Sequence, residues 1–133
     1  AVPQTCYPCY RNILGALAVE TVSLPLNDEY KITGKELRAA VKSRAERGLP
    51  PLKGLIISSP GNPTGATLNK EELYELCAAC EELDVRFISD EIYHGIVYDS
   101  LVGNEATALG CEAGKRSALV INSMSKYHCM TGW

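Results

Sequence analysis

The chain of 133 residues lacks the features that mark several large classes of protein. No apolar run approaches the roughly 18–20 residues of a membrane-spanning helix, and no secretory signal is visible. Basic residues are not in excess, because 13 Lys and Arg face 16 Asp and Glu. The net charge of -3 gives no electrostatic reason to expect a nucleic acid or an anionic membrane as partner. The composition, 46% hydrophobic and 22% charged, is ordinary for a soluble α/β protein, and we expect a cytoplasmic one.

The six cysteines do not have the spacing of a metal site. Cys6 and Cys9 are separated from Cys77 and Cys80 by far more than the ~15–20 residues of a zinc ribbon. Cys77 and Cys80 also lie in a strongly helical stretch, where their spacing places both side chains on one face. We therefore expect no metal, and packed, reduced thiols instead.

Predicted strands and helices alternate along the chain at the spacing of βαβ units. Thr33 with Glu36, and Asn69 with Glu72, form capping boxes that predict the start of two helices. The other predicted elements are a helix over 10–18, strands over 19–26, 52–58, 85–88 and 118–121, and a loop with a short helix over 100–116. This order predicts a three-layer α/β/α fold around a mostly parallel sheet.

Polar side chains follow three of the predicted strands, at the point where each strand ends. Asn62 follows the strand 52–58, Asp90 follows 85–88, and Lys126 follows 118–121. Because ligands of open α/β sheets bind outside the carboxyl ends of the strands, these residues predict one shared polar site. Each has a simpler explanation when taken alone: a turn for Asn62, a helix cap for Asp90 and a solvated surface charge for Lys126.

The polar motifs, taken in order, resemble the cofactor site of the class I/II aminotransferases, which are pyridoxal 5'-phosphate enzymes of fold type I. The motifs are Ser59-Pro60-Gly61-Asn62-Pro63-Thr64-Gly65, Ser89-Asp90-Glu91-Ile92-Tyr93 and Ser123-Met124-Ser125-Lys126. The resemblance extends from Tyr7-Pro8-Cys9-Tyr10-Arg11-Asn12 to Thr131-Gly132-Trp133. It implies that the parent protein is an enzyme that moves an amino group between an amino acid and a 2-oxo acid.

The resemblance also implies a role for each matching residue. Lys126 would form the Schiff base with the cofactor and then move the proton of the substrate α-carbon. Asp90 would pair with the protonated pyridine nitrogen, and Asn62 and Tyr93 would donate to the phenolate oxygen. Tyr7 matches the aromatic residue that stacks on the pyridine ring. The hydroxyls of Ser123 and Ser125 are available to the phosphate.

The family's two-domain architecture implies that residues 1–133 are the central part of the large, cofactor-binding domain, truncated at both ends. The chain begins at Ala1 without Met and stops inside a motif at Trp133, so we expect an internal fragment of a homodimeric enzyme. Two alternatives stay open. One is a carbon–sulfur lyase or decarboxylase on the same fold, and the other is a non-catalytic, aminotransferase-like sensor domain of a transcription regulator.

Overall fold

A computed structural model of the chain describes residues 1–98, 102–103 and 105–133. Its centre is a parallel sheet of three strands, in the order β3 (Gly54–Ser58), β4 (Arg86–Asp90) and β5 (Ala118–Ile121). A second parallel pair joins β1 (Val2–Pro3) to β2 (Ser23–Leu24). The backbone N–H of Ile56 in β3 donates to the Ala1 carbonyl at 3.0 Å, so this pair adjoins the larger sheet.

Three helices cover one face of the sheet. They are α2 (Gly34–Glu46), α3 (Lys70–Glu82) and α4 (Glu112–Ser117), and α3 contacts both of the others. The core between these helices and the strands contains Leu37, Leu55, Leu73, Leu76, Cys77, Cys80 and Phe87, all of them buried. The prediction that Cys77 and Cys80 share one packed face of a helix is confirmed, and burial raises the pKa of the Cys80 thiol to about 12.

Both capping boxes are present where the sequence predicts them. The Asn69 side chain accepts from the backbone N–H of Glu72 at 2.8 Å, and the Glu72 carboxylate accepts from the Asn69 N–H at 2.8 Å. The Glu36 carboxylate accepts from the Thr33 N–H at 2.9 Å. These bonds satisfy backbone donors that a helix N-terminus would otherwise leave free.

The opposite face of the sheet carries α1 (Pro8–Ala16). Tyr10 of α1 bonds to Asp90, and Leu14 lines a cavity with Ile56 and Ile88. Ile88 and Asp90 point away from the helix-covered face because they alternate with the buried residues of β4. Helices on both faces confirm the predicted three-layer α/β/α arrangement with parallel strands.

Several predicted boundaries shift. Helix α1 begins at Pro8, two residues before the predicted start, because proline suits the first helical position. Residues 19–26 form a strand only at Ser23–Leu24, where they pair with the two residues of β1, and Pro25 has no N–H to extend the ladder. Strand β3 begins at Gly54, and β4 extends to Asp90.

The predicted loop over 100–116 contains a 3-10 turn at Ala108–Gly110 and the start of α4. Ser100, Leu101 and Asn104 of that prediction lie outside the described residues. Within the described ranges, no helix combines the length and apolarity needed to cross a bilayer.

Candidate active site

The carboxyl ends of the three central strands lie side by side. Ser58 at the end of β3 pairs with Asp90 at the end of β4, and Asp90 pairs with Ile121 at the end of β5. The segments that leave these strands therefore start from one edge of the sheet. The pairing gives the physical reason why residues far apart in the sequence meet there.

A cavity of about 230 Å³ opens at this edge. Its lining consists of Tyr7, Tyr10, Ser58, Asn62, Asp90, Ile92, Tyr93 and Lys126. Five of the seven site residues singled out in the sequence thus share one cavity. Their convergence follows from the parallel topology, which places every strand end on the same side.

Asn62 and Tyr93 form a direct contact across the cavity. The Asn62 amide nitrogen donates to the Tyr93 hydroxyl at 3.3 Å, although 31 residues separate them in sequence. Lys126 approaches the same tyrosine, and its Nζ lies 5.9 Å from the ring centroid. This distance is within the range of a cation–π contact, so Tyr93 links the amide and the amine of the site.

Both oxygens of the Asp90 carboxylate accept hydrogen bonds. Oδ1 accepts from the backbone N–H of Ile92 at 3.2 Å, and Oδ2 accepts from the Tyr10 hydroxyl. Burial, followed by the bond to Asp90, raises the pKa of the Tyr10 hydroxyl well above its usual range. The hydroxyl therefore stays protonated and donates to the carboxylate.

The neighbouring Glu91 points the other way, into the helix-covered side. It is buried, and its Oε1 accepts from the Ser89 hydroxyl at 2.9 Å and from the Ala108 N–H at 2.8 Å. Asp90 and Glu91 therefore face opposite sides of the sheet, as the alternation of neighbouring strand residues requires. Glu91 ties the segment before α4 to the end of β4.

Tyr7 lines the cavity at the N-terminus of α1, and its ring meets that of Tyr10 edge to face at a centroid distance of 5.8 Å. Ser123 and Ser125 belong to the segment that carries Lys126, and their hydroxyls bond to each other at 2.9 Å. Among the described residues, the cavity lining includes neither serine. The cavity therefore contains the residues predicted to contact the cofactor ring, but not the two serines whose hydroxyls were predicted to be available to its phosphate.

Tyr10 is a lining residue for which the sequence predicted no role beyond the start of a helix. The available signal was its spacing from Tyr7, because residues three apart lie on one helix face. Nothing in the local sequence relates Tyr10 to Asp90, which is 80 residues away.

Gly95 allows the segment that bears Lys126 to approach. A Cβ atom at this position would lie 2.8 Å from two ring atoms of Tyr127, and its φ of +86° also favours glycine. We expect Gly95→Ala to lower the free energy of unfolding by about 2–3 kcal/mol, because strain and overlap add. Urea unfolding measures the loss.

Gly48→Ala is the matched control for that substitution. Gly48 also has a positive φ, of +65°, but a Cβ atom there meets nothing within 4 Å. The control isolates the backbone strain, about 1–2 kcal/mol. Equal losses for the two variants would contradict the claim that the Tyr127 ring makes Gly95 necessary.

The whole chain, residues 1–133, matches the family model of the class I and II aminotransferases. It is 43% identical, over all of its length, to a valine–pyruvate aminotransferase of Mycobacterium tuberculosis, and 33% identical over 96% of its length to an aspartate aminotransferase of Bacillus subtilis. It spans about a third of the length of these curated relatives, 32% and 30%.

Solved structures show the same relationship. An aminotransferase from Mycobacterium tuberculosis superposes with a TM-score of 0.79 at 41% identity, covering 99% of this chain and 32% of that one. An aromatic aminotransferase from Pyrococcus horikoshii superposes with a TM-score of 0.83 at 29% identity, covering 99% of this chain and 33% of that one. The chain belongs to the class I and II aminotransferases.

Proposed function

We propose that residues 1–133 are part of the large, cofactor-binding domain of a longer pyridoxal phosphate-dependent aminotransferase. The longer protein would move an amino group between an amino acid and a 2-oxo acid. The observation that carries the proposal is the meeting of Asn62, Asp90, Tyr93 and Lys126 in one cavity of a chain from this family. Four functional groups from three strand ends are a specific arrangement for one ligand.

The groups that line the cavity fit the cofactor that the family implies. Asp90 offers an anion to a ring nitrogen that carries a proton, and the Asn62–Tyr93 pair offers polar hydrogens to a phenolic oxygen. Tyr7 offers an aromatic surface, and Lys126 offers an amine for a covalent bond. When bound, pyridoxal phosphate supplies an electron sink for the negative charge that develops at the substrate α-carbon.

The chain's own residues then have separable tasks. Lys126 Nζ would hold the cofactor covalently and, once released, would move a proton to and from the substrate α-carbon. Asp90 would keep a compensating negative charge beside the ring nitrogen. Asn62 and Tyr93 would fix the phenolic side of the ring, and Tyr7 would cover one ring face.

We assign Ser123 and Ser125 to the phosphate end of the ligand. Their hydroxyls lie on the segment between β5 and Lys126, and the Ser125 N–H donates to Ser123 Oγ at 3.0 Å. A phosphate held there would bring the aldehyde end of the ligand within reach of the lysine on the same segment.

The longer protein is proposed to be a cytoplasmic homodimer. The family supports the dimer, and the six free cysteines support a reducing compartment.

The experiment that tests this function measures whether product formation by the longer protein requires an amino acceptor. Valine and pyruvate are the first donor and acceptor to try, because they are named for the relative that is 43% identical. An aminotransferase forms the new amino acid only when both compounds are present. Release of ammonia from a sulfur-containing amino acid, or of carbon dioxide from an amino acid, without any acceptor would instead indicate a lyase or a decarboxylase.

The 133 residues by themselves are expected to show no amino transfer. They span about a third of the length of the curated relatives, and the cavity is partly open, so water weakens the electrostatic contacts within it. The check is an assay of the isolated chain with added pyridoxal phosphate and several amino donors. Turnover that disappears in Lys126→Ala would contradict the prediction and identify a compact enzyme.

A further inference from the structure

Tyr10 lines the cavity, and its hydroxyl is committed to Asp90, a residue of the proposed machinery. Its hydroxyl donates to Asp90 Oδ2, while the backbone N–H of Ile92 occupies Oδ1 at 3.2 Å. The two donors approach from different elements, α1 and the turn after β4. Together they hold the carboxylate from both sides, and a carboxylate held at both oxygens cannot rotate freely about its side-chain bonds.

The setting of Tyr10 makes this contact strong. The side chain is half-buried, and a hydrogen bond from a neutral hydroxyl to a carboxylate gains strength where water is scarce. The Ser58 hydroxyl also lies beside the phenol and lowers its pKa, but burial and Asp90 outweigh this effect, so the pKa is raised. The donor therefore remains in place over the whole range in which proteins are usually active.

We propose that Tyr10 is a positioning residue that orients the Asp90 carboxylate toward the ring nitrogen of the cofactor. The inference rests on the proposed function, because it needs Asp90 to contact that nitrogen. Tyr10 itself acts through Asp90 and touches no reacting atom. Its loss should weaken the hold of the longer protein on pyridoxal phosphate, because Asp90 would then sample orientations that do not face the ring.

The test compares four versions of the longer protein: wild type, Tyr10→Phe, Asp90→Asn and the double variant. The readout is the dissociation constant for pyridoxal phosphate, measured by equilibrium dialysis of the apoprotein. Phenylalanine keeps the ring and removes only the hydroxyl. We expect Tyr10→Phe to weaken binding about tenfold, which corresponds to about 1.4 kcal/mol. Tyr30→Phe is the matched control, because Tyr30 is exposed and should leave the constant unchanged.

The double variant separates a role through Asp90 from a general effect on packing. In the Asp90→Asn background, Tyr10→Phe should change the dissociation constant by less than about twofold, because the charge it orients is gone. An equal loss in both backgrounds would overturn the inference. Unchanged or tighter binding by Tyr10→Phe, in a protein that Asp90→Asn does weaken, would overturn the inference and leave the proposed function intact.

A lack of effect from Asp90→Asn would instead remove the proposed role of Asp90, and the inference with it. Tyr10→Gln restores a donor of different shape and should recover part of the lost affinity. If Tyr10→Phe fails to fold, the comparison of Tyr10→Gln with Tyr10→Leu replaces it. The glutamine variant should bind pyridoxal phosphate more tightly than the leucine variant, because only glutamine can donate to Asp90. Equal affinities of the glutamine and leucine variants would overturn the inference.

Discussion

Replacing Lys126 with alanine in the longer protein should lower the rate of amino transfer by about a thousandfold or more, ~4 kcal/mol of transition-state stabilisation. Among the described residues that line the cavity, Lys126 alone carries an amine. No neighbour there could take over both roles proposed for Lys126, the covalent bond to the cofactor and the transfer of the α-carbon proton. Steady-state rates with valine and pyruvate measure the loss.

Chemical trapping locates the same lysine independently of rate. Borohydride reduction of the loaded protein, followed by peptide mass mapping, should place the cofactor on the peptide that contains Lys126. Lys115→Ala is the control, because Lys115 is exposed and pairs with Glu112 at 2.7 Å outside the cavity. A label on any other lysine would refute the assignment.

Asp90→Asn should raise the activation free energy of the chemical step by several kcal/mol, as expected for the loss of a preorganised charge partner. The amide is nearly isosteric but neutral, so it no longer offsets the positive charge on a protonated ring nitrogen. Single-turnover measurements with an excess of enzyme isolate this step. Activity within about tenfold of wild type, ~1.4 kcal/mol, would mean that Asp90 only caps the turn at Ile92.

The effect of Asp90→Asn on folding should be much smaller than its effect on rate. The amide oxygen can still accept from the Ile92 N–H, and the cost of a weaker bond from Tyr10 is about 1–2 kcal/mol. Urea unfolding of the apoprotein measures it. Asp84→Asn is the control for removal of a carboxylate, because the Asp84 side chain is 98% exposed.

The sequence alone predicted the elements whose causes are local. The start of α3 depends on Asn69 and Glu72, which are three residues apart, and its buried face depends on a spacing that a helix repeats every turn. The strand Ala118–Ile121 was predicted at its observed bounds, because a short apolar run needs no partner to be recognised.

Elements whose extent depends on pairing were predicted less well. The strand expected over 19–26 has only two paired residues, since β1 supplies only two partners. Leu24 is buried there, but the sequence of one strand does not determine the length of the neighbouring strand. The same dependence on a neighbour extends β4 to Asp90, which pairs with both Ser58 and Ile121.

The sequence by itself determined which strand ends carry Asn62, Asp90 and Lys126, because parallel strands joined by helices put their carboxyl ends on one side. The tertiary structure decided what those residues touch. The Tyr10–Asp90 bond joins residues 80 positions apart, and it exists because α1 packs on the face of the sheet to which Asp90 points. The packing of a helix on a sheet is a sum of many contacts between distant segments, so no local pattern around Tyr10 or Asp90 contains it.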